Sequence, residues 1–412
     1  MTNLDERAYM SDPYRMEFRA SVRETEDAGG GKTAVYLDAT YFYPVSGGQP
    51  DDRGTLGGLA VTGVTEDGRG VRHLVDGTLE AGAEVEGRID WARRFDHMQQ
   101  HSGQHLLSRI FLDEAKLSTV GFHLGARTCT IDLDGEIAAD AVIPAVEKKV
   151  NDLIWRNSPI AGRIVGRDEY ERLQDEQASK MTVRTRLPGE VDRVRLVEIE
   201  GVDVTTCCGT HCHSSGEIGL IKVLGTERVR GGARVEFVCG GRALRDYSDK
   251  HELVSALALR FTTEWQEVAA VVGKTVDENR ELRKTQEALR RELSGFRAAD
   301  LAVPVATVGD VEIIRTVMQD EDVGSAREMA VKLRDEGRRV VLFGIAGAKP
   351  ALLFACSPGL ELDMGDMLRR SVKIMGGRGG GGKDFAQGGG GDAERLEEAL
   401  DRAVRAVREA LE

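Results

Sequence analysis

Two short motifs, far apart in the chain, constrain its fold more than any other feature. One is His101-Ser102-Gly103-Gln104-His105; the other is Cys207-Cys208-Gly209-Thr210-His211. In each, two metal-binding side chains stand four residues apart. Positions i and i+4 share one face of a helix, so His101 and His105 can grip an ion from one side. Cys207 and His211 can supply two more ligands, and three imidazoles with one thiolate suit a tetrahedral Zn²⁺. The fold must carry the two motifs to one point.

Composition narrows the class. The chain has 412 residues, long enough for about two to four domains with real cores. Charged residues make up 30% and hydrophobic residues 41%, as in a soluble globular protein. No apolar run is long enough to span a membrane, and the N-terminus lacks a basic-then-apolar signal pattern, so a cytoplasmic location and no membrane partner are expected. The six cysteines do not read as a disulfide framework; Cys207, Cys208 and Cys212 crowd beside His211 and His213, as in metal chemistry in a reducing compartment. A net charge of −13 argues against indiscriminate coating of nucleic acid, but allows recognition of a folded RNA through local basic patches.

The fold class expected is multidomain α+β. Residues 1–90 carry short apolar runs at 33–37, 59–64, 71–75 and 85–89 between Gly and Asp turns, which predicts a small β-barrel. Within it, Ser46-Gly47-Gly48-Gln49-Pro50 reads either as an ordinary turn or as a loop whose glycines and Gln49 amide approach a ligand. Residues 91–247 predict an α+β domain with one sheet covered on one face by helices. It has helices at 91–112 and 141–155, a strand-like stretch at 119–133, and strands near 160–165, 194–199, 218–223 and 235–238. His97 precedes His101 by one helical turn and makes a ladder of three. Ser102 follows His101 where a zinc protease needs its general-base Glu, which speaks against peptide hydrolysis.

Residues 248–300 predict a helical hairpin or short coiled coil, breakable at Gly273, that links domains and leaves a homodimer open. Residues 301–412 predict a separate α/β domain with strands at 311–316, 340–345 and 351–356 and a helix at 325–336. Its glycine-rich run, 376–391, is followed by an amphipathic helix through Leu396, Leu400, Val404, Val407 and Leu411, so the run lies inside the domain. A loop of this kind with Arg378 and Lys383 suits a phosphate backbone. Between 366 and 391, five basic groups face two acidic ones, Asp366 and Asp384.

With these residues in view, the chain resembles the long form of the alanyl-tRNA editing proteins, free-standing relatives of the editing domain of alanyl-tRNA synthetase. The resemblance rests on Ser46–Pro50, His101-x-x-x-His105, Cys207-x-x-x-His211 and Gly216-Glu217-Ile218-Gly219. The glycine-rich C-terminal block also looks like the domain named for its association with DHH phosphoesterases. Cys208 stands where the family commonly has glycine, which leaves two thiols to choose between. No ATP-binding aminoacylation core and no Asp-His-His motif is found.

The resemblance implies a hydrolase that removes serine or glycine from mischarged tRNA for alanine, independently of ATP. It further implies zinc on His101, His105, Cys207 and His211, and an amino-acid pocket lined by Gly47, Gly48, Gln49 and Thr119. The RNA contacts would fall at Arg378 and Lys383. The rival readings are a non-catalytic tRNA-binding protein with a structural zinc and a peptide- or amide-cleaving metal hydrolase.

Overall fold

The computed structural model describes residues 6–137, 141–176, 181–182, 192–319 and 321–412. The first five residues, on which the signal-pattern reading partly rests, lie outside these. The chain forms two compact units, Met1–Ala256 and Leu257–Glu412.

The first unit opens with six strands: β1 (Glu17–Gly29), β2 (Lys32–Leu37), β3 (Gly54–Leu56), β4 (Leu59–Asp67), β5 (Gly70–Asp76) and β6 (Glu84–Ile89). They close an antiparallel barrel in the order β1-β2-β5-β4-β3-β6, as the short-strand pattern predicts. Alternation drives closure: in β6, Val85, Gly87 and Ile89 are buried while Glu84, Glu86 and Arg88 are exposed. Phe18, Val35, Phe42, Leu56 and Val75 fill the interior with their neighbours.

Helix α1 (Trp91–Ala115) follows directly, capped by the Asp90 carboxylate, which accepts from the Arg93 amide. Its middle is buried on every side, including Met98, Leu106, Leu107 and Phe111. A helix buried all round needs cover on more than one side. The single-sheet expectation therefore fails, and two four-stranded sheets share the work. One has the order β13-β14-β8-β7, from β7 (Thr119–Leu124), β8 (Cys129–Leu133), β13 (Ile221–Val229) and β14 (Gly232–Cys239). The other has the order β10-β12-β11-β9, from β9 (Ile160–Gly166), β10 (Met181–Thr182), β11 (Arg193–Ile199) and β12 (Asp203–Thr206). The stretch 119–133 is thus a hairpin, turned where the Gly125 amide donates to the Thr128 carbonyl at 3.0 Å. Helix α2 (Val142–Trp155) adds Val146, Val150 and Ile154 to the same core. Helices α3 (Arg167–Glu176) and α4 (Gly240–Phe261) complete the elements that begin in this unit.

The second unit takes in the last residues of α4 and then α5 (Val268–Leu301), a single helix that runs through Gly273 without a break. Its sheet has the order β15-β16-β17-β18-β20-β19. The strands are β15 (Ala306–Val308), β16 (Val311–Gln319), β17 (Arg339–Ala346), β18 (Ala351–Cys356), β19 (Arg378–Gly381) and β20 (Phe385–Gly389). Only β16 and β17, joined through α6 (Val323–Asp335), pair in parallel; the other pairings are antiparallel, so the unit is α+β and not α/β. Residues of α6 cover one face of the sheet, and those of α7 (Met364–Ile374) and α8 (Leu396–Leu411) cover the other.

The glycine run is not a loop but the hairpin β19–β20. A Cβ on Gly379 would fall 2.4 Å from the Gly388 Cα and 2.8 Å from Leu368 of α7. Glycine is needed there because a helix lies close against the strand pair. Among the described residues, no helix is long and apolar enough to cross a membrane.

Candidate metal centre

The site starts from a buried ion pair. Arg94, on α1, reaches back to the barrel, where its Nε donates to both oxygens of Asp52 at 3.1 Å. Both side chains are fully buried. Arg94 also donates to the Pro13 and Tyr41 carbonyls, and Asp52 accepts the Tyr43 amide at 2.6 Å. Breaking such a pair leaves a buried charge and costs about 3–5 kcal/mol. The pair fixes the loop 40–53 against α1.

That loop carries Gly47, Gly48 and Gln49. Gly47 and Gly48 take φ of 55° and 84°, the two central positions of a tight turn closed by Ser46 and Gln49. The turn sits on β7: the Gly48 carbonyl accepts the Leu124 amide at 2.9 Å, and a Cβ on Gly48 would fall 2.3 Å from the Phe122 carbonyl oxygen. Gly47 and Gly48 are exposed, whereas Gln49 is fully buried. Its Oε1 lies 2.7 Å from His101 Nδ1, and its Nε2 donates to Thr210 Oγ1 at 2.9 Å. A carbonyl oxygen only accepts, so Nδ1 of His101 carries the proton and Nε2 is left with its lone pair.

His101 and His105 stack one turn apart on α1, ring centroids 5.1 Å from each other and nearly parallel. The turn after β12 brings Cys207 and His211 to them. Arg195, buried on β11, donates to the Cys207 carbonyl at 2.8 Å and the Gly209 carbonyl at 3.0 Å, and so holds the turn in shape. Gly209 lies against the His101 ring; a Cβ there would fall 2.2 Å from Cε1.

The ligand atoms of His101, His105, Cys207 and His211 all lie within 4.8 Å of one another. His105 Nε2 to His211 Nε2 is 3.1 Å, and Cys207 Sγ is 3.4 Å from His101 Nε2 and 3.5 Å from His211 Nε2. A tetrahedral ion at ordinary metal–nitrogen and metal–sulfur distances has edges of about 3.3 Å between nitrogens and about 3.6 Å between nitrogen and sulfur. The donor set fits such an ion. The Gly209 amide also points at Cys207 Sγ, at 3.4 Å, which favours the thiolate.

The neighbouring candidates fall elsewhere. Cys208 is exposed, and His213 stacks on Tyr14. Cys212 is buried, its thiol pushed up to about 12 by burial, and its amide donates to Ser102 Oγ. His97, the third rung of the ladder, lies outside the cluster; burial, with Arg93 nearby, pulls it down to about 4. Thr119 is half-buried and donates to Ser108 Oγ at 2.7 Å, one helical turn along α1 from His105.

Arg378 and Lys383 belong to the second unit, exposed at the start of β19 and in the turn before β20. Arg378 lines a cleft of about 310 Å³ with Lys349, Pro350, Gly379 and Gly388–Gly390. Lys349 was not marked by the sequence, because only the β17–β18 turn brings it to the glycine hairpin.

The family description "Threonyl and Alanyl tRNA synthetase second additional domain" matches residues 194–235, and the DHHA1 domain matches residues 310–409. The alanyl-tRNA editing protein AlaX-L of Pyrococcus horikoshii is 32% identical, with 99% of each chain covered. An alanine–tRNA ligase of Pyrococcus abyssi is 31% identical over 96% of this chain, which spans 43% of that enzyme's length. The C-Ala domain from Aquifex aeolicus alanyl-tRNA synthetase, a solved structure, aligns at 26% identity over 26% of this chain and 96% of its own, with a TM-score of 0.23.

Proposed function

The chain belongs to the alanyl-tRNA editing family, and on that premise we propose that it deacylates mischarged tRNA for alanine in trans. It would cleave the ester of serine or glycine at a zinc ion held by His101, His105, Cys207 and His211. The observation that carries the reading is the convergence of those four donors within 4.8 Å. Such an enzyme has a physical reason to exist. A pocket built for alanine cannot exclude the smaller glycine and rejects one added hydroxyl poorly, so a second hydrolytic sieve is needed.

A zinc ion there would supply a Lewis acid beside the aminoacyl ester, polarising its carbonyl or holding its amino group. The protein's own residues do the positioning. Gln49 fixes the tautomer and tilt of His101, and Arg195 holds the Cys207 turn by its carbonyls. The Gly47-Gly48 turn and Phe122, which lies against His101 with ring centroids 5.3 Å apart, would wall a pocket for a small side chain. Thr119 spends its proton on Ser108 and keeps lone pairs with which to accept a serine hydroxyl. In the second unit, Arg378 and Lys383, joined by Lys349, would take tRNA phosphates.

A second reading has one observation behind it: four protein donors can close a zinc shell, as structural sites do. Deacylation of seryl-tRNA for alanine beside correctly charged alanyl-tRNA, with and without a zinc chelator, separates the two. Fast, chelator-sensitive loss of serine with alanine spared supports the editing enzyme. Tight tRNA binding without cleavage of either ester supports the structural-zinc RNA-binding protein.

A further inference from the structure

Thr119 owes its place to an irregularity in β7. It pairs with Leu133 of β8, whereas Gly121 and Phe122 pair with Asp132 and Ile131, so Val120 is one residue too many for the ladder. A bulge of this kind re-aims the side chains beside it. In a regular strand, residues three apart point to opposite faces. With Val120 inserted and turned out to solvent, 69% exposed, Thr119 and Phe122 come to one face, the face of Leu133 and Ile131 that packs in the core. That face meets α1: the Phe122 ring lies against His101, and Thr119 Oγ1 lies 2.7 Å from Ser108 Oγ.

Ser108 continues the stripe of the metal donors. His101, His105 and Ser108 stand at i, i+4 and i+7 of α1, on one face of the helix. Ser108 is three residues beyond His105, a rise of about 4.5 Å. The hydroxyl that rests on Ser108 therefore lies over the next turn of the helix from the donor set.

The bonds around Ser108 run one way. Gln104, fully buried, donates from Nε2 to Ser108 Oγ at 2.7 Å, and an amide nitrogen can only donate. Thr119 donates to the same oxygen. A hydroxyl oxygen has two acceptor sites, so Ser108, only 2% exposed, has both filled and takes nothing from a ligand. The lone pairs left to a ligand are those of Thr119, which has spent its proton and can accept but not donate.

We propose that Ser108 is a positioning residue: it holds Thr119 as a fixed hydrogen-bond acceptor, and that acceptor makes the site favour a seryl ester over a glycyl one. The inference rests on the proposed editing reaction and names the residues by which the site tells its two candidate substrates apart. A serine hydroxyl donates to an acceptor already aimed at it. Glycine has no group to offer and leaves the acceptor to water. Without Ser108 the Thr119 proton turns to other partners, and the lone pair is no longer held towards the substrate. One such bond is worth about 3- to 10-fold.

The test uses the full-length chain supplied with zinc. It measures kcat/KM for seryl- and glycyl-tRNA for alanine and takes their ratio within each variant, so that any loss of folded or metal-loaded protein cancels. The parent should favour serine. Ser108→Ala should lower the ratio about 3- to 10-fold. Thr119→Val should lower it at least as far, and adding Ser108→Ala to Thr119→Val should lower it no further, because Ser108 acts only through Thr119. A merely structural role for Ser108 would move both esters alike and leave the ratio where it was. A parent that prefers the glycyl ester, the parental ratio in Ser108→Ala, or a loss in Ser108→Ala that adds in full to that of Thr119→Val would each overturn the proposal and leave the editing reaction standing. A parent that cleaves neither ester would overturn the editing reaction and this inference with it.

Discussion

Gln49 is where the reading of the metal centre can be tested most sharply. Its Oε1 accepts from His101 Nδ1 at 2.7 Å, in a site where Gln49 is fully buried and His101 only 4% exposed. Gln49→Leu keeps the volume nearly constant and removes the acceptor. The buried Nδ1–H then loses its partner, at a cost of about 1–3 kcal/mol. Removing the hydrogen-bond partner of a metal-bound histidine typically costs about 10–100-fold in metal affinity, or about 1.4–2.7 kcal/mol, and the two figures agree. Zinc affinity, measured by competition with a chromophoric chelator, should therefore fall about 10–100-fold in Gln49→Leu. Gln49→Glu keeps an acceptor and adds a charge, so it should bind zinc at least as well as the parent. Deacylation by Gln49→Leu at saturating zinc should recover most of the lost rate. A variant that binds zinc normally but shows a raised KM would refute the positioning argument and make Gln49 a substrate contact instead.

Three further outcomes follow from the same structure. Chelation should remove the ion and abolish deacylation while far-UV circular dichroism stays close to that of the loaded protein; cooperative unfolding on chelation would mean that the ion holds the domain together. Burial pulls His73 down from 6.5 to about 4, although its Nδ1 donates to the Val35 carbonyl. Between those two pH values the unfolded chain binds more protons than the folded one, so stability falls as pH falls from 6.5 towards 4, by at most about 3 kcal/mol from this group. Urea titrations across that window should show the slope reduced in His73→Gln; an unchanged slope would refute it. Finally, Arg378→Ala with Lys383→Ala should weaken tRNA binding and lower the slope of log affinity against log salt by about 1 for each phosphate that the variant no longer neutralises; an unchanged slope would take the hairpin out of the RNA-binding surface.

Much of this was legible in the sequence, and the reasons divide cleanly. The barrel was readable because period-two alternation and turn residues are local signals. His101 and His105 were readable because a helix enforces i, i+4. What escaped was long-range and polar. Arg195 sits in Arg193–Ile199 and looks like an ordinary outward residue of a strand, yet it points inward to the carbonyls of a turn reached only when β11 pairs with β12. Asp52 and Arg94 lie on different elements, and nothing local marks them as partners. The glycine block misled for a different reason. Glycine density reads as a loop, but here close approach of α7 to a paired hairpin demands it, a tertiary cause that composition does not carry. The division of the region after the barrel into two sheets was hidden too, because strand partners such as β8 and β14 are distant in sequence.

The bonds that assemble the metal centre also bear on what the ion would be for. In small structural zinc domains the metal supplies most of the folding free energy, because too little core exists without it. Here each ligand-bearing segment is tied down by contacts that do not pass through the ion. Helix α1 is buried in a core of its own, Arg94 and Asp52 lock it to the barrel loop, and Arg195 fixes the Cys207 turn. Gln49 joins the two halves by bonding both His101 and Thr210. A fold so braced is expected to stand without a metal, which the chelation experiment checks. On the reading proposed above, three imidazoles and a thiolate brought together in a segment already braced would serve chemistry on a bound ester, and retention of the fold on chelation is the result that this reading requires.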